Sequence, residues 1–178
     1  MPLMPPHKAL PRLTLVLGGA RSGKSRYAEG LITACPPPWI YVATAQAFDE
    51  EMAARIAQHK ARRADGWATI ETTLDLADVV TAQDSSGSPL LIDCLTLWLS
   101  NVMLGGKDVL AACRELVAVL TAANGPVVAV SNEVGLGIVP DNALARAFRD
   151  AQGRLNQEIA ACADSVVLMA AGLPLTLK

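Results

Sequence analysis

The sequence predicts a three-layer α/β domain built on a mostly parallel sheet. Three observations lead there. Short apolar, β-branched runs alternate with helix-period segments from Leu13 onward. The first run leads straight into a glycine-rich turn and a helix. The composition, 52% hydrophobic and 18% charged over 178 residues, suits one domain with a sizeable core. The last two runs read as a possible antiparallel hairpin at one edge.

The opening strand is Leu13 to Leu17. Gly18, Gly19, Ala20, Arg21, Ser22, Gly23, Lys24 and Ser25 follow, matching G-x-x-x-x-G-K-[ST] at every fixed position. The helix from Ser25 to Ala34 carries Tyr27, Ala28, Leu31 and Ile32 at helical spacing. Each residue type has a chemical reason. Gly18 and Gly23 let backbone N–H groups turn inward where a Cβ would block an anion. The opening helix adds unpaired N–H groups and its positive dipole end. Lys24 is placed for the β- and γ-phosphates, and the Ser25 hydroxyl for Mg²⁺. Nucleotide phosphate binding is the firm expectation.

The chain continues in the same rhythm. Cys35 to Pro38 ends the helix, because proline cannot continue it. Trp39 to Ala43 is the second strand, running into Thr44, Ala45 and Gln46. Ligands of open α/β sheets lie at the carboxyl ends of strands, so Thr44 and Gln46 are candidate site residues, or an ordinary polar loop. Asp49 to Arg63 reads as a helix on which Arg55, His59, Arg62 and Arg63 share a face. Neighbouring cations disfavour imidazolium and keep His59 neutral. Two readings stand on these residues alone: a neutral nucleophile within a phosphate clamp, or a solvated basic helix end.

Trp67 to Thr72 is a short strand, Leu74 to Ala82 a helix, and Asp84 to Pro89 a loop. Leu90 to Asp93 is an apolar strand ending in a carboxylate, suited to Mg²⁺ directly or through water. Helices follow over Cys94–Leu104 and Lys107–Ala123. Val127 to Ser131 is a buried strand that opens into Asn132 to Pro140, either a substrate or γ-phosphate loop or a plain crossover. Asp141 is expected to cap a helix reaching about Ala163, with Leu144, Phe148, Ala151, Leu155 and Ile159 as its apolar stripe. Val166 to Met169 and Leu173 to Lys178 close the chain, with Pro174 tolerated on an edge.

The formal net charge is −2, which gives no broad basic surface for nucleic acid. No apolar run is long enough for a membrane span. Met1 to Arg12 is proline-rich, lacks the apolar stretch of a secretory signal, and reads as a flexible tail before a single domain over residues 13–178. Cys35, Cys94, Cys113 and Cys162 lie far apart and read as reduced thiols in the cytoplasm.

Five segments together resemble a known family: GGARSGKS (18–25), YVATAQ (41–46), DEEMAARIAQHKARR (49–63), SNEVGLGIVP (131–140) and RDAQGRLNQ (149–157). They are similar to the bifunctional adenosylcobinamide kinases and adenosylcobinamide-phosphate guanylyltransferases of cobalamin biosynthesis. The resemblance implies a P-loop NTPase-type (RecA-like) domain and a homotrimer. It implies His59 as the residue that becomes guanylylated. It also implies nucleotide contacts at Lys60, Ala61, Arg62, Arg63, Glu71 and Asp93, and at Ala43, Thr44 and Ala45. The substrates it implies are GTP, ATP, adenosylcobinamide and adenosylcobinamide phosphate, with Mg²⁺ held by Ser25 and Asp93. A plain P-loop small-molecule kinase, without the covalent step, is the rival expectation.

Overall fold

The computed structural model describes residues 9–46 and 65–178. The helix expected over Asp49 to Arg63, with His59 on it, lies outside the described residues.

Seven strands form one sheet: β1 (Leu13–Gly18), β2 (Trp39–Ala43), β3 (Trp67–Glu71), β4 (Leu90–Asp93), β5 (Val127–Asn132), β6 (Ser165–Ala170) and β7 (Leu173–Thr176). The helices among the described residues are α1 (Lys24–Thr33), α2 (Leu76–Asp84), α3 (Leu95–Leu104), α4 (Val109–Ala122) and α5 (Ala143–Cys162). Strand order is β3-β2-β4-β5-β1-β6-β7. Every pairing is parallel except β6 with β7, which is the antiparallel edge hairpin the sequence suggests.

The central strands are mostly apolar because helices cover both faces. Alternate residues divide between two cores, as a two-residue period requires. Leu13, Leu15, Leu17, Leu90, Ile92, Val127 and Ala129 face α2 to α5. Val16, Tyr41, Leu91, Val128, Val130 and Val167 face α1 through Ala28 and Ile32. The two edges differ from this. The four residues of β7 are all exposed, and Pro174 sits there, where a missing donor matters least.

Two expectations about α5 are corrected. Its cap is Asn142, not Asp141: the Asn142 side chain accepts from Ala145 N at 2.7 Å. The backbone of Asn142 is extended (φ −93°, ψ 147°), which aims its side chain at the N–H three residues on. The stripe is also not apolar along its whole length. Leu144 is 56% exposed, while Gln152 and Asn156 are buried. A 20-residue helix runs about 30 Å, longer than the 4- to 6-residue strands beneath it, so its first turn lacks cover from them.

Arg12, grouped by sequence with the tail, is tied into the fold. Its guanidinium donates to the carbonyls of Leu120, Thr121, Ala123 and Cys162, closing the ends of α4 and α5. It also pairs with Asp164 at 3.5 Å. The four cysteines are free thiols. Among the described residues, no helix is long and apolar enough to cross a membrane.

Candidate functional site

The loop between β1 and α1 turns on its glycines. A Cβ on Gly18 would lie 2.6 Å from the Met169 carbonyl oxygen and 2.6 Å from Ser22 Oγ. Gly23 has φ 95°, in the left-handed region that favours glycine, and it opens α1 with no side-chain cap. The first N–H groups of α1 are thus left to an anion. Gly19, Ala20 and Arg21 are exposed at the outer side of the loop, and Ser25 is half-buried on the first turn of α1. The Gly172 N–H, in the turn between β6 and β7, donates to Ser22 O at 3.0 Å and braces the loop from the side.

Two groups in the loop fit a phosphate. Ser22 Oγ is buried with no hydrogen-bond partner among the described residues. Lys24 is 8% exposed, and its Nζ donates to Gly19 O at 2.6 Å. Burial pushes its ammonium below the ordinary lysine value, while Cys94 and the Asp93 carboxylate oppose that shift. A buried ammonium resting on a loop carbonyl is poised to exchange that partner for a phosphate oxygen.

The carboxyl ends of β2, β3 and β4 are level with one another, since Ala43 is in register with both Asp93 and Glu71. Asp93 is half-buried, and its Oδ2 accepts from Tyr41 Oη at 3.0 Å. Its Oδ1 accepts no hydrogen bond from a described residue. Thr44 is fully buried. Its hydroxyl donates to Cys94 O at 2.7 Å and accepts from Cys94 N at 2.9 Å. Asn101 Nδ2 donates to Thr44 O at 2.9 Å. Thr44 therefore braces the chain after β2 against the start of α3. Ala45 and Gln46 are half-buried beyond it, and Glu71 is exposed at the end of β3. Cys94 is buried, which pushes its thiol up to about 12, so it stays neutral at physiological pH.

Sequence reasoning missed the network at the end of β5. Ser131 Oγ donates to Asn156 Oδ1 at 2.6 Å. Gln152 Nε2 donates to Ser131 Oγ and to Asn156 Oδ1, both at 3.0 Å. Asn156 Nδ2 donates to Asn132 O at 3.1 Å. Thr96 Oγ1 accepts from Asn132 N, and Glu133 N donates to Gly18 O at 3.1 Å. A signal was present: Gln152 and Asn156 stand four apart on the same face as Phe148, Leu155 and Ile159.

The site is thus a glycine-rich loop with the shape of a phosphate cradle, flanked by a carboxylate on β4 and a locked strand end on β5. The residues expected to carry the second chemistry, His59, Lys60, Ala61, Arg62 and Arg63, lie outside the described residues. No group of three His, Cys, Asp or Glu side chains converges among the described residues. A magnesium-nucleotide site needs only a carboxylate and a hydroxyl beside the phosphates. The open Oδ1 of Asp93 and the Ser25 hydroxyl are of that kind.

Residues 14–177 match the model of a family described as "Cobinamide kinase / cobinamide phosphate guanyltransferase". The chain is 45% identical over 172 residues to a "Bifunctional adenosylcobalamin biosynthesis protein CobP" of Pseudomonas aeruginosa, covering 92% of this chain and 96% of that one. It is 43% identical over 181 residues to a "Bifunctional adenosylcobalamin biosynthesis protein CobU" of Salmonella typhimurium, covering 93% and 99%. Among solved structures, it is similar to an ATPase of a bacterial type III secretion system (TM-score 0.58, 13% identity, covering 94% of this chain and 57% of that one). It is also similar to the RadB recombinase (TM-score 0.54, 15% identity, covering 89% and 74%). At such identities the two structures speak to the fold alone, which is that of P-loop NTPases.

Proposed function

The chain belongs to the cobinamide kinase and cobinamide phosphate guanyltransferase family, and from that premise we propose how its residues divide the two activities. It is an enzyme of adenosylcobalamin biosynthesis that phosphorylates cobinamide and then guanylylates the phosphate. The observation that carries the first activity is the cradle itself: buried Lys24, the unpartnered Ser22 Oγ and the uncapped start of α1.

In the kinase reaction, the hydroxyl of the aminopropanol arm of adenosylcobinamide attacks the γ-phosphorus of ATP or GTP. The bond to the β-bridging oxygen breaks, the nucleoside diphosphate leaves, and the hydroxyl proton passes to solvent. The loop N–H groups and Lys24 hold the phosphates in line and balance their charge. Arg21, Gly19 and Ala20 form the outer wall of the cradle. The Ser25 hydroxyl and Asp93 would hold Mg²⁺. Bound there, the ion would neutralise charge on the bridging phosphates.

In the second reaction, the neutral His59 imidazole attacks the α-phosphorus of GTP and pyrophosphate leaves. The phosphate of adenosylcobinamide phosphate then attacks the GMP–His59 phosphoramidate. The P–N bond breaks, adenosylcobinamide-GDP forms and the imidazole is regenerated. Arg55, Arg62 and Arg63 steady the α-phosphate, and Lys60, Ala61, Glu71 and the Ala43–Ala45 segment complete the nucleotide contacts. The four free cysteines support a cytoplasmic setting. The homotrimer is the assembly that the resemblance implies, and the exposed apolar side chains Leu136 (87%), Ile138 (98%) and Leu173 (71%) offer apolar surface for contact between copies. A solution mass of three times 18.7 kDa is expected by light scattering.

A labelling experiment tests the division. The protein is incubated with Mg²⁺ and GTP labelled at the α-phosphorus, then denatured. Retained label that is acid-labile, base-stable and lost in His59→Ala supports the reading. Bound nucleotide with no retained label, and no labelled adenosylcobinamide-GDP formed when adenosylcobinamide phosphate is added, removes the covalent step and leaves a kinase.

A further inference from the structure

We propose that Tyr41 is a positioning residue of the nucleotide site: its hydroxyl holds Asp93 by one oxygen and leaves the other for the metal-nucleotide. The inference rests on the reading of Asp93 as the carboxylate that serves Mg²⁺.

Sheet register brings the two residues together. Tyr41 pairs with Leu91, and Asp93 lies two residues further along β4. Residues two apart share a face, so Tyr41 and Asp93 are diagonal neighbours on adjacent strands. The face is the one covered by α1, the helix that carries Lys24. A diagonal neighbour is too far for a short side chain, but a tyrosine reaches it, and the Oη to Oδ2 distance is 3.0 Å.

The ring is itself fixed. Tyr41 is 5% exposed. Trp67 meets it edge-on at 6.0 Å and 78°, and Trp39 packs on Trp67 at 5.5 Å and 51°. Three of the chain's seven aromatic side chains gather here, in a sequence only 4% aromatic. Phenylalanine would fill the same space. The hydroxyl therefore has a purpose beyond packing: it donates to a carboxylate and fixes its rotamer. A carboxylate held this way meets the metal-nucleotide without first losing side-chain freedom.

The test measures binding, not turnover. The probe is a GTP analogue with methylene groups in both phosphate bridges, and its Kd is measured calorimetrically in EDTA and in saturating Mg²⁺. Tyr41→Phe is expected to weaken binding about three- to tenfold in Mg²⁺, the worth of one hydrogen bond, and to leave it unchanged in EDTA. Asp93→Asn is expected to weaken Mg²⁺-dependent binding further. The double variant should bind no worse than Asp93→Asn alone, since Tyr41 acts through that carboxylate.

Equal loss in EDTA and in Mg²⁺ would make Tyr41 a packing residue and overturn the proposal. So would a Tyr41→Phe variant that matches the wild type while Asp93→Asn loses its Mg²⁺ dependence. If Asp93→Asn keeps full Mg²⁺ dependence, the assignment of Asp93 itself falls, and this proposal falls with it.

Discussion

The carboxyl ends of β4 and β5 lie side by side, and both are polar, yet they are built in opposite ways. The end of β5 is closed. Ser131, Gln152 and Asn156 are neutral, buried and bonded to one another, and Asn156 donates to Asn132 O as well. The end of β4 is open. Asp93 is an acid side chain, half-buried and held through one oxygen. Neutral amides can be buried once their hydrogen bonds are met, whereas an ionised carboxylate is costly to bury and gains from a cation. One end therefore serves as scaffold and the other as a place for charge. The scaffold also reaches the site, because Glu133 N donates to Gly18 O in the phosphate loop.

Substitutions should separate these two roles. The largest effect is expected at the open end. Asp93→Asn should lower kinase turnover about 100-fold while moving the thermal midpoint by less than about 2 °C. A large fall in midpoint would mean that Asp93 is structural like its neighbour. Asn156→Leu should do the reverse. It removes the acceptor of Ser131 and Gln152 and the donor to Asn132 O, costing roughly 3 kcal/mol, or about 6–12 °C in midpoint for a chain of this size.

Gln152→Leu should cost less, about 1–2 kcal/mol, read from the same melts. Its Oε1 has no partner among the described residues, so removing that oxygen forfeits nothing there. Equal losses at Gln152 and Asn156 would mean that the orphaned oxygen is satisfied by water. The smallest effect belongs to a carboxylate at the other end of the sheet. Asp84 accepts from Asn124 N, Asn124 Nδ2 and Gly125 N, which holds its carboxyl below the ordinary range. A depressed carboxylate stabilises the fold fully above about pH 4 and loses that contribution as pH falls through its folded value. Asp84→Ala should therefore lower the midpoint by roughly 1–3 °C at pH 7, and the gap should close in strong acid.

Much of this was legible in the chain. The glycine-rich loop is local: its glycines, lysine and serine lie within eight consecutive residues, and their spacing marks the turn between β1 and α1. The buried strands were also readable, since Leu13–Leu17 and Val127–Ser131 are short, largely apolar runs, and so was the edge hairpin, since the last two runs are joined by a short turn at Ala171 and Gly172. The polar contacts were not. Tyr41 and Asp93 are 52 residues apart, and Ser131 and Asn156 are 25 apart. Nothing near Tyr41 in the chain marks it as a partner of a carboxylate. Asp141 was mistaken for the cap of α5 because two adjacent residues, Asp141 and Asn142, both suit a cap. Backbone conformation chose between them.

Residue identity and spacing were enough for the strand–loop–helix turn and the α/β layering, because each is encoded in neighbours along the chain, while the kinship with cobinamide kinases came from the resemblance of five segments taken together. Which oxygen of Asp93 is held, which face of α5 turns polar and which hydroxyls are already engaged were decided only by tertiary packing. The reason is physical. A hydrogen bond depends on distances of a few tenths of an ångström between groups that strand register and helix docking bring together, and no local pattern carries that register.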